Sequence, residues 1–229
     1  MHDLTIIESI LRSRRYFFLE IRDGTGLSDK IRAMLVSSLV FFAIYGAVLG
    51  SSASVWQALS SAVKLPVLFL ATLLICAPTL YFFHVLFGSS QGLRQTIALM
   101  LTAITVTSVL LLSFCAIVIF FLLTTAGYQF FKLLNVGIFA ICGTVGVLFL
   151  SQGLAIVAQG DAEGARGRGC VTWLWVVLYA FVGSQMAWTL RPFIGAPSMP
   201  FELFRNLGGN FYADVFASLG EVLGFFTVR

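Results

Sequence analysis

Apart from cysteine and tyrosine, one titratable side chain lies within the apolar stretches that are long enough to cross a membrane. It is His84, in the segment YFFHVLFG, and the second histidine is His2. Because histidine changes its charge near neutral pH, a histidine in an apolar environment can relay protons or gate a pathway. A histidine near a helix end can equally serve in packing or at an interface. A gating role and a packing role are both open for His84.

Hydroxyl and amide side chains gather in two later apolar stretches. They are Thr96, Thr102, Thr105, Thr107, Ser108 and Ser113 in the first, and Asn135, Thr144, Ser151, Gln152 and Gln159 in the second. Such residues can line a water-filled pore, or they can hold helices together through hydrogen bonds of about 0.6 to 2 kcal/mol. Convergence on a wet cavity would indicate the pore, and pairing in a dry interior would indicate packing.

Residues for catalysis or metal binding do not form a recognisable set in the sequence. Carboxylates are confined to the N-terminal arm, one loop and the C-terminal tail, and the four cysteines have neither metal-ligand nor disulfide spacing. The glycine-rich run from Gly160 to Gly169 lacks the Lys-Ser/Thr pair of a nucleotide-binding loop. The sequence therefore predicts no enzymatic activity, no metal and no cofactor.

The spacing of charges indicates how the chain is organised. Only Lys64, Arg94 and Lys132 carry a full charge between Arg32 and Asp161, and we expect each to mark a loop. The stretches between them exceed the roughly 20 helical residues that cross a bilayer core. With 59% hydrophobic residues and a mean hydropathy of +0.97, the chain is predicted to be an all-α polytopic bundle. The expected spans are about 33–54, 65–88, 96–124, 131–158 and 170–190.

Amphipathic helices are predicted at both ends, which divides the chain into an arm (1–31), a five-span bundle (32–191) and a tail (192–229). The arm is expected to form one helix over 3–22 with a basic side, either at an anionic leaflet or solvated. The tail is expected to begin with a short helix from Ser198 to Gly208. A second tail helix presents an apolar face containing Phe211, Val215 and Leu219, with Asp214, Ser218 and Glu221 on the opposite face.

The distribution of basic residues predicts the orientation. With the N-terminus in the cytoplasm, nine Lys and Arg residues lie on the cytoplasmic side and five lie on the other, which favours a cytoplasmic N-terminus and an extracytoplasmic C-terminus. Trp56, Trp173, Trp175 and Trp188 lie near span ends, as interfacial anchors do. The bacterial inner membrane is the expected location, and the spread of the basic residues argues against nucleic acid as a partner.

Small residues in three spans mark expected helix contacts. They are Gly46 and Gly50 in the first span, Gly146 and Gly153 in the fourth, and Gly183 in the fifth. A glycine lets two backbones approach closely, but this pattern serves folding of one chain and assembly of several chains alike.

Residues Leu65 to about Gly153 resemble the bacterial branch of the Yip1-like membrane protein family. The resemblance rests on the segment YFFHVLFGSSQGLRQT, in which an aromatic, histidine-containing helix end leads through Gly-Ser to the basic and amide-bearing start of the next span. It implies five spans and a cytoplasmic N-terminus.

The pattern as a whole favours contacts over chemistry. We expect a scaffold, assembly factor or accessory subunit that binds membrane lipids and other integral membrane proteins or itself, with Arg191, Phe211, Val215 and Leu219 docking a partner. Arg191 is expected to pair with Glu202, Asp214 or an acid of the partner. The alternatives are a channel or permease subunit with a homo-oligomeric pore, and membrane shaping by the terminal helices.

Overall fold

The computed structural model describes residues 2–86, 91–124, 127–157, 165–195, 201–204 and 209–224. These residues form α-helices and no β-strand, which confirms the predicted all-α class. The helices are α1 (His2–Arg12), α2 (Arg14–Arg22), α3 (Leu27–Gly50), α4 (Val55–Leu86), α5 (Leu93–Thr124), α6 (Tyr128–Val157), α7 (Ala165–Thr189) and α8 (Phe211–Val222).

Five of these helices, α3 to α7, are long and apolar enough to cross a membrane, as the charge spacing predicts. The second span begins at Val55, however, and not at Leu65. Lys64 therefore lies in the third turn of α4, and its predicted place in a loop is wrong. Residues 55–63 carry no charge and continue the helix, and the contacts described below bury Lys64 within it.

The five long helices are arranged as an incomplete ring. Around the bundle the order is α7, α4, α3, α5 and α6, with α3 packed closely on both α4 and α5, and with α4 touching α5. The helix α7 packs chiefly along α4, and α6 chiefly along α5, so the two end members of the ring are not packed along each other.

The arm forms two helices, and the predicted single helix over 3–22 is broken at Ser13. The apolar side chains of Ile10, Phe17, Phe18 and Ile21 are at most 2% exposed, and they contact α3, α5 and α6. The apolar side of the arm thus packs against the bundle and does not face outward to lipid or solvent. The arginine side chains of the arm, at positions 12, 14, 15 and 22, remain exposed.

The interior consists of two apolar clusters, one near each end of the bundle. The cluster near α1 and α2 includes Phe18, Leu80 and Leu99, and the other includes Phe42 and Tyr45. In the second cluster the ring of Phe42 stacks on that of Phe69 with centroids 4.0 Å apart. The described chain is therefore packed through the full length of the spans.

Candidate functional site

The hydroxyl groups of α5 are bonded to their own helix. Thr102, Thr105 and Thr107 donate to the carbonyl groups four residues earlier, at distances of 2.8 to 2.9 Å. All three side chains are buried, and Thr105 and Thr107 also lie 3.4 Å from backbone oxygens of α3 and α6. Back-bonding of this kind satisfies a hydroxyl group without water. These residues form part of the packed interior.

An amide of α6 pairs with a tyrosine of α3. The hydroxyl of Tyr45 donates to Oδ1 of Asn135 at 2.8 Å, and Nδ2 of Asn135 donates to the carbonyl of Phe131 at 2.8 Å. Both residues are buried. Gln152 and Ser151 lie instead on the exposed side of α6, and Gln159 lies outside the described residues.

His84 lies in the last turn of α4 and is 3% exposed. Its Nδ1 is 2.9 Å from the carbonyl oxygen of Leu80, and donates to it. This geometry places the ring inside the packed end of the bundle near the arm. The gating role stays a prediction.

Four of the five glycines expected at helix contacts lie where no side chain fits. A Cβ on Gly46 would be 2.8 Å from the backbone carbon of Ser61, and one on Gly50 would be 2.6 Å from Ala58 Cα. These two glycines bring α3 against the start of α4, so the two helices meet backbone to backbone.

The glycines of α6 meet side chains and backbone of other helices. A Cβ on Gly146 would be 2.8 Å from the carbonyl oxygen of Ala103, and one on Gly153 would be 2.6 Å from the ring of Phe18 and 2.8 Å from Leu99. At Gly183 of α7 the nearest atom is 3.8 Å away, in Thr72, which is an ordinary contact.

Trp175 binds α7 to α4. It is 3% exposed, and its indole Nε1 donates to the carbonyl of Cys76 at 3.0 Å. Its predicted place in an interfacial belt is therefore wrong, because this carbonyl is a partner inside the bundle. Trp56 and Trp173, by contrast, are about two-thirds exposed, in keeping with interfacial anchors.

At the other end of the bundle, one face of α4 binds the chain that follows α7. Gln57 Nε2 donates to the carbonyl of Pro192 at 2.8 Å, and the Ser61 hydroxyl donates to that of Phe193 at 2.6 Å. A Cβ on Gly195 would overlap the side chain of Ala53. The segment after α7 therefore lies tightly on the first turns of α4. We call it the strap, residues 191–195 and 201–204.

Lys64 is the third polar residue on this face of α4. Its ammonium group donates to the carbonyls of Pro192 and Leu203 and lies 5.0 Å from the ring centroid of Phe204, and the residue is 5% exposed. Backbone oxygens and an aromatic face are the partners that stabilise this cation. The spacing of Gln57, Ser61 and Lys64 puts all three on one face of a helix, and this is the sequence signal for the contact. The contact is missed from the sequence because the charge spacing places Lys64 in a loop.

Arg191 stacks on Trp188, with its guanidinium carbon 3.5 Å from the ring centroid. Of the alternative partners expected for Arg191, Asp214 binds Lys132 instead, at 2.9 Å. The role of Arg191 in docking a partner stays a prediction.

The helix α8 spans the gap between α6 and α7. The hydroxyls of Tyr212 and Ser184 are 2.9 Å apart, which ties α8 to α7. Lys132 donates to Asp214, and Gln129 Nε2 donates to Glu221 Oε2 at 2.8 Å, which ties α8 to α6. Asn210 caps the helix by accepting from the backbone amide of Ala213 at 2.8 Å.

The polar face of α8 therefore faces the bundle. Ser218 is 2% exposed, whereas five large side chains of α8 and its C-cap are more than 40% exposed: Phe216, Leu223, Val222, Tyr212 and Leu219. The ion pair and the amide contact with α6 decide this orientation. Of the predicted docking residues, Phe211 and Val215 are half-buried and Leu219 is exposed. Of the helix expected from Ser198 to Gly208, residues 201–204 are described and are not helical, so the prediction is wrong for them. The rest lies outside the described residues.

Among the described residues, no cluster of three or more His, Cys, Asp or Glu side chains is arranged to hold a metal ion. No protein-family model, curated protein or solved structure matches the chain. The resemblance to the Yip1-like family stays a prediction, and what is established is that the chain has five helices able to cross a membrane.

Proposed function

We propose that the chain is a non-catalytic scaffold, assembly factor or accessory subunit of a protein complex in the bacterial inner membrane, with its N-terminus in the cytoplasm and its C-terminus outside. The orientation of α8 carries this proposal. Its polar face is bound to α6 through Asp214 and Glu221. Phe216 and Leu219 are exposed on the outside of the helix, whereas Phe211 and Val215 are half-buried.

An apolar helix face outside a bundle requires a cover of lipid or protein. The face of α8 is presented in a fixed orientation, because Lys132, Ser184 and the strap hold the tail in place. A fixed apolar face suits a partner of defined shape, since little ordering entropy is then lost on binding.

The test is the mass and protein content of the assembly extracted in mild detergent at native expression. We expect other membrane proteins in fixed proportion to the chain, and their loss in Phe216→Ser and Leu219→Ser. Tyr16→Ser is the matched control, because Tyr16 is 76% exposed at the opposite end of the bundle. An unchanged assembly in both tail variants would contradict the proposal.

The alternative is a channel or permease subunit whose pore forms between copies of the chain. It is supported by Thr144, Ser151 and Gln152, which lie on the exposed side of α6. The buried and back-bonded hydroxyls of α5 argue against a pore through a single bundle. A symmetric homo-oligomer without other proteins, with solute flux that Gln152→Leu abolishes, would favour this alternative.

A further inference from the structure

The corner between α1 and α2, residues 11–16, is exposed along its whole length. It contains three arginines, Arg12, Arg14 and Arg15, and Leu11 beside them is 50% exposed. Arg12 donates to Glu8 at 3.2 Å. Arg14 and Arg15 form no ion pair with any residue that the structure describes. Their two guanidinium groups are therefore available to a ligand outside the chain.

A third arginine of this kind lies near the start of α3. Arg32 is exposed and has no ion pair within the described part of the chain. The arm is held beside this part of α3, because Lys30 binds the carboxylate of Glu20 at 2.7 Å and lies 5.8 Å from the ring centroid of Phe17. Phe17 follows Arg14 by less than one helical turn. The three arginines thus lie at the same end of the bundle, on neighbouring helices.

Arg32 begins an exposed row on α3 that shows where the membrane surface lies. Val36, Val40 and Ile44 follow it at four-residue intervals, the spacing of one row on a helix surface, and they are 41%, 49% and 44% exposed. On a span, such an apolar row faces lipid. Arg32 lies about 6 Å before Val36 along the helix axis, and its long side chain can extend further in the same direction. Its guanidinium group is therefore level with the lipid headgroups.

The chemistry of this surface selects the ligand. The apolar side of the arm already packs against the bundle, so the outer side binds through its charges. A guanidinium group matches a phosphate with two parallel hydrogen bonds. An acidic protein segment would supply a similar charge, but it has no need of the apolar row that adjoins Arg32.

We infer that Arg14, Arg15 and Arg32 form a docking surface for the headgroups of anionic phospholipids. The arm is held at the membrane surface by these contacts, and its apolar side is not inserted into the leaflet. This inference does not depend on which side of the membrane the N-terminus lies.

The test titrates the full chain in mild detergent with phosphatidylglycerol, and separately with phosphatidylcholine of the same acyl chains. Native mass spectrometry counts the bound lipids. We expect the first phosphatidylglycerol to bind at least fivefold more tightly than phosphatidylcholine, since one arginine near an anionic surface contributes about fivefold in affinity. Equal affinity for the two lipids would overturn the inference. So would displacement of the lipid by inorganic phosphate at equal concentration, which would indicate a site for phosphate alone.

Two variants remove the proposed contacts, Arg14→Gln with Arg15→Gln, and Arg32→Gln, and each should reduce the preference for phosphatidylglycerol several-fold. The matched control is Glu8→Gln with Arg12→Gln, which removes an ion pair at the same corner without changing the net charge, and it should keep the preference. An unchanged preference in both arginine variants would overturn the inference. Loss of a bound acidic protein from these variants at native expression, with the lipid preference intact, would overturn it in favour of a protein ligand.

Discussion

At the scale of single residues, Lys64 is the group that connects the tail to the bundle. It is buried in α4 and donates to two carbonyls of the strap. A buried carbonyl that loses its donor retains the cost of its lost hydration. Lys64 therefore stabilises the strap as much as it stabilises α4.

We expect Lys64→Met to destabilise the protein by about 2 kcal/mol and to expose the strap to protease. The measurements are thermal unfolding in detergent and the rate of chymotrypsin cleavage at Phe201 and Phe204. Arg94→Met is the control, since Arg94 is an exposed cation in the first turn of another span. Cleavage as slow as in the unaltered chain would show that Lys64 does not hold the strap.

Gly153 leaves the space in which Phe18 of the arm packs against α6. Because a Cβ there would overlap the ring of Phe18 and Leu99, Gly153→Ala should cost about 1 to 3 kcal/mol, the usual cost of overpacking. Phe18→Leu should restore part of this loss in the double variant. The measurement is thermal unfolding, with Gly137→Ala as the control at an open position. If both alanine variants were equally stable, the contact between α2 and α6 would not be tight.

At the scale of helices, the attachment of α8 depends on charge. Lys132 and Asp214 form the ion pair that turns the polar face inward. We expect Lys132→Met to raise hydrogen exchange in α8, and the swap Lys132→Asp with Asp214→Lys to restore protection, because the swap preserves the attraction. The control is Glu8→Gln, which removes an exposed ion pair with Arg12 at the other end. Unaltered protection in Lys132→Met would contradict this role.

The attachment of α7 depends on an indole hydrogen bond. Trp175→Phe keeps an aromatic ring but loses the bond to the carbonyl of Cys76, so α7 should be weakened by about 0.6 to 2 kcal/mol. Trp173→Phe is the control on the exposed side of the same helix. The readout is thermal unfolding, and an equal effect of the two substitutions would show that the bond contributes little.

At the scale of the whole molecule, the arm and the tail cap opposite ends of the bundle. The arm meets the end of α6 that contains Gly153, and α8 meets the end that contains Lys132. The arm and α8 therefore lie at opposite ends of the five long helices. In the part that the structure describes, the arm and the tail are packed onto the same bundle from its two ends.

The native cysteines test the proposed orientation. Cys170, at the start of α7, is exposed, whereas Cys76, Cys115 and Cys142 are buried. A membrane-impermeant thiol reagent applied to intact cells should leave Cys170 unlabelled, and should label it after permeabilisation. In Ser51→Cys, between α3 and α4, the new thiol should react in intact cells. The reverse result at both positions would place the N-terminus outside.

The number of spans followed from the sequence, because long uncharged stretches can be stable in a bilayer only as helices that satisfy their own backbone. The start of the second span did not follow from it. The cost of a cation in a membrane predicts that Lys64 lies in a loop, yet carbonyls of the distant strap stabilise it within α4. Local composition does not predict contacts between residues more than 100 positions apart.

The sequence by itself determined the five apolar helices, the two amphipathic ends and the small residues that allow close contact, because hydropathy and periodicity are local properties. The tertiary structure decided that the apolar side of the arm is buried, that α8 turns its polar face inward, and that α6 packs on α5 while α7 packs on α4. An amphipathic helix has two faces, and the face that packs inward depends on the partners that the fold brings to it: here Lys132 and Gln129 attract the acids of α8.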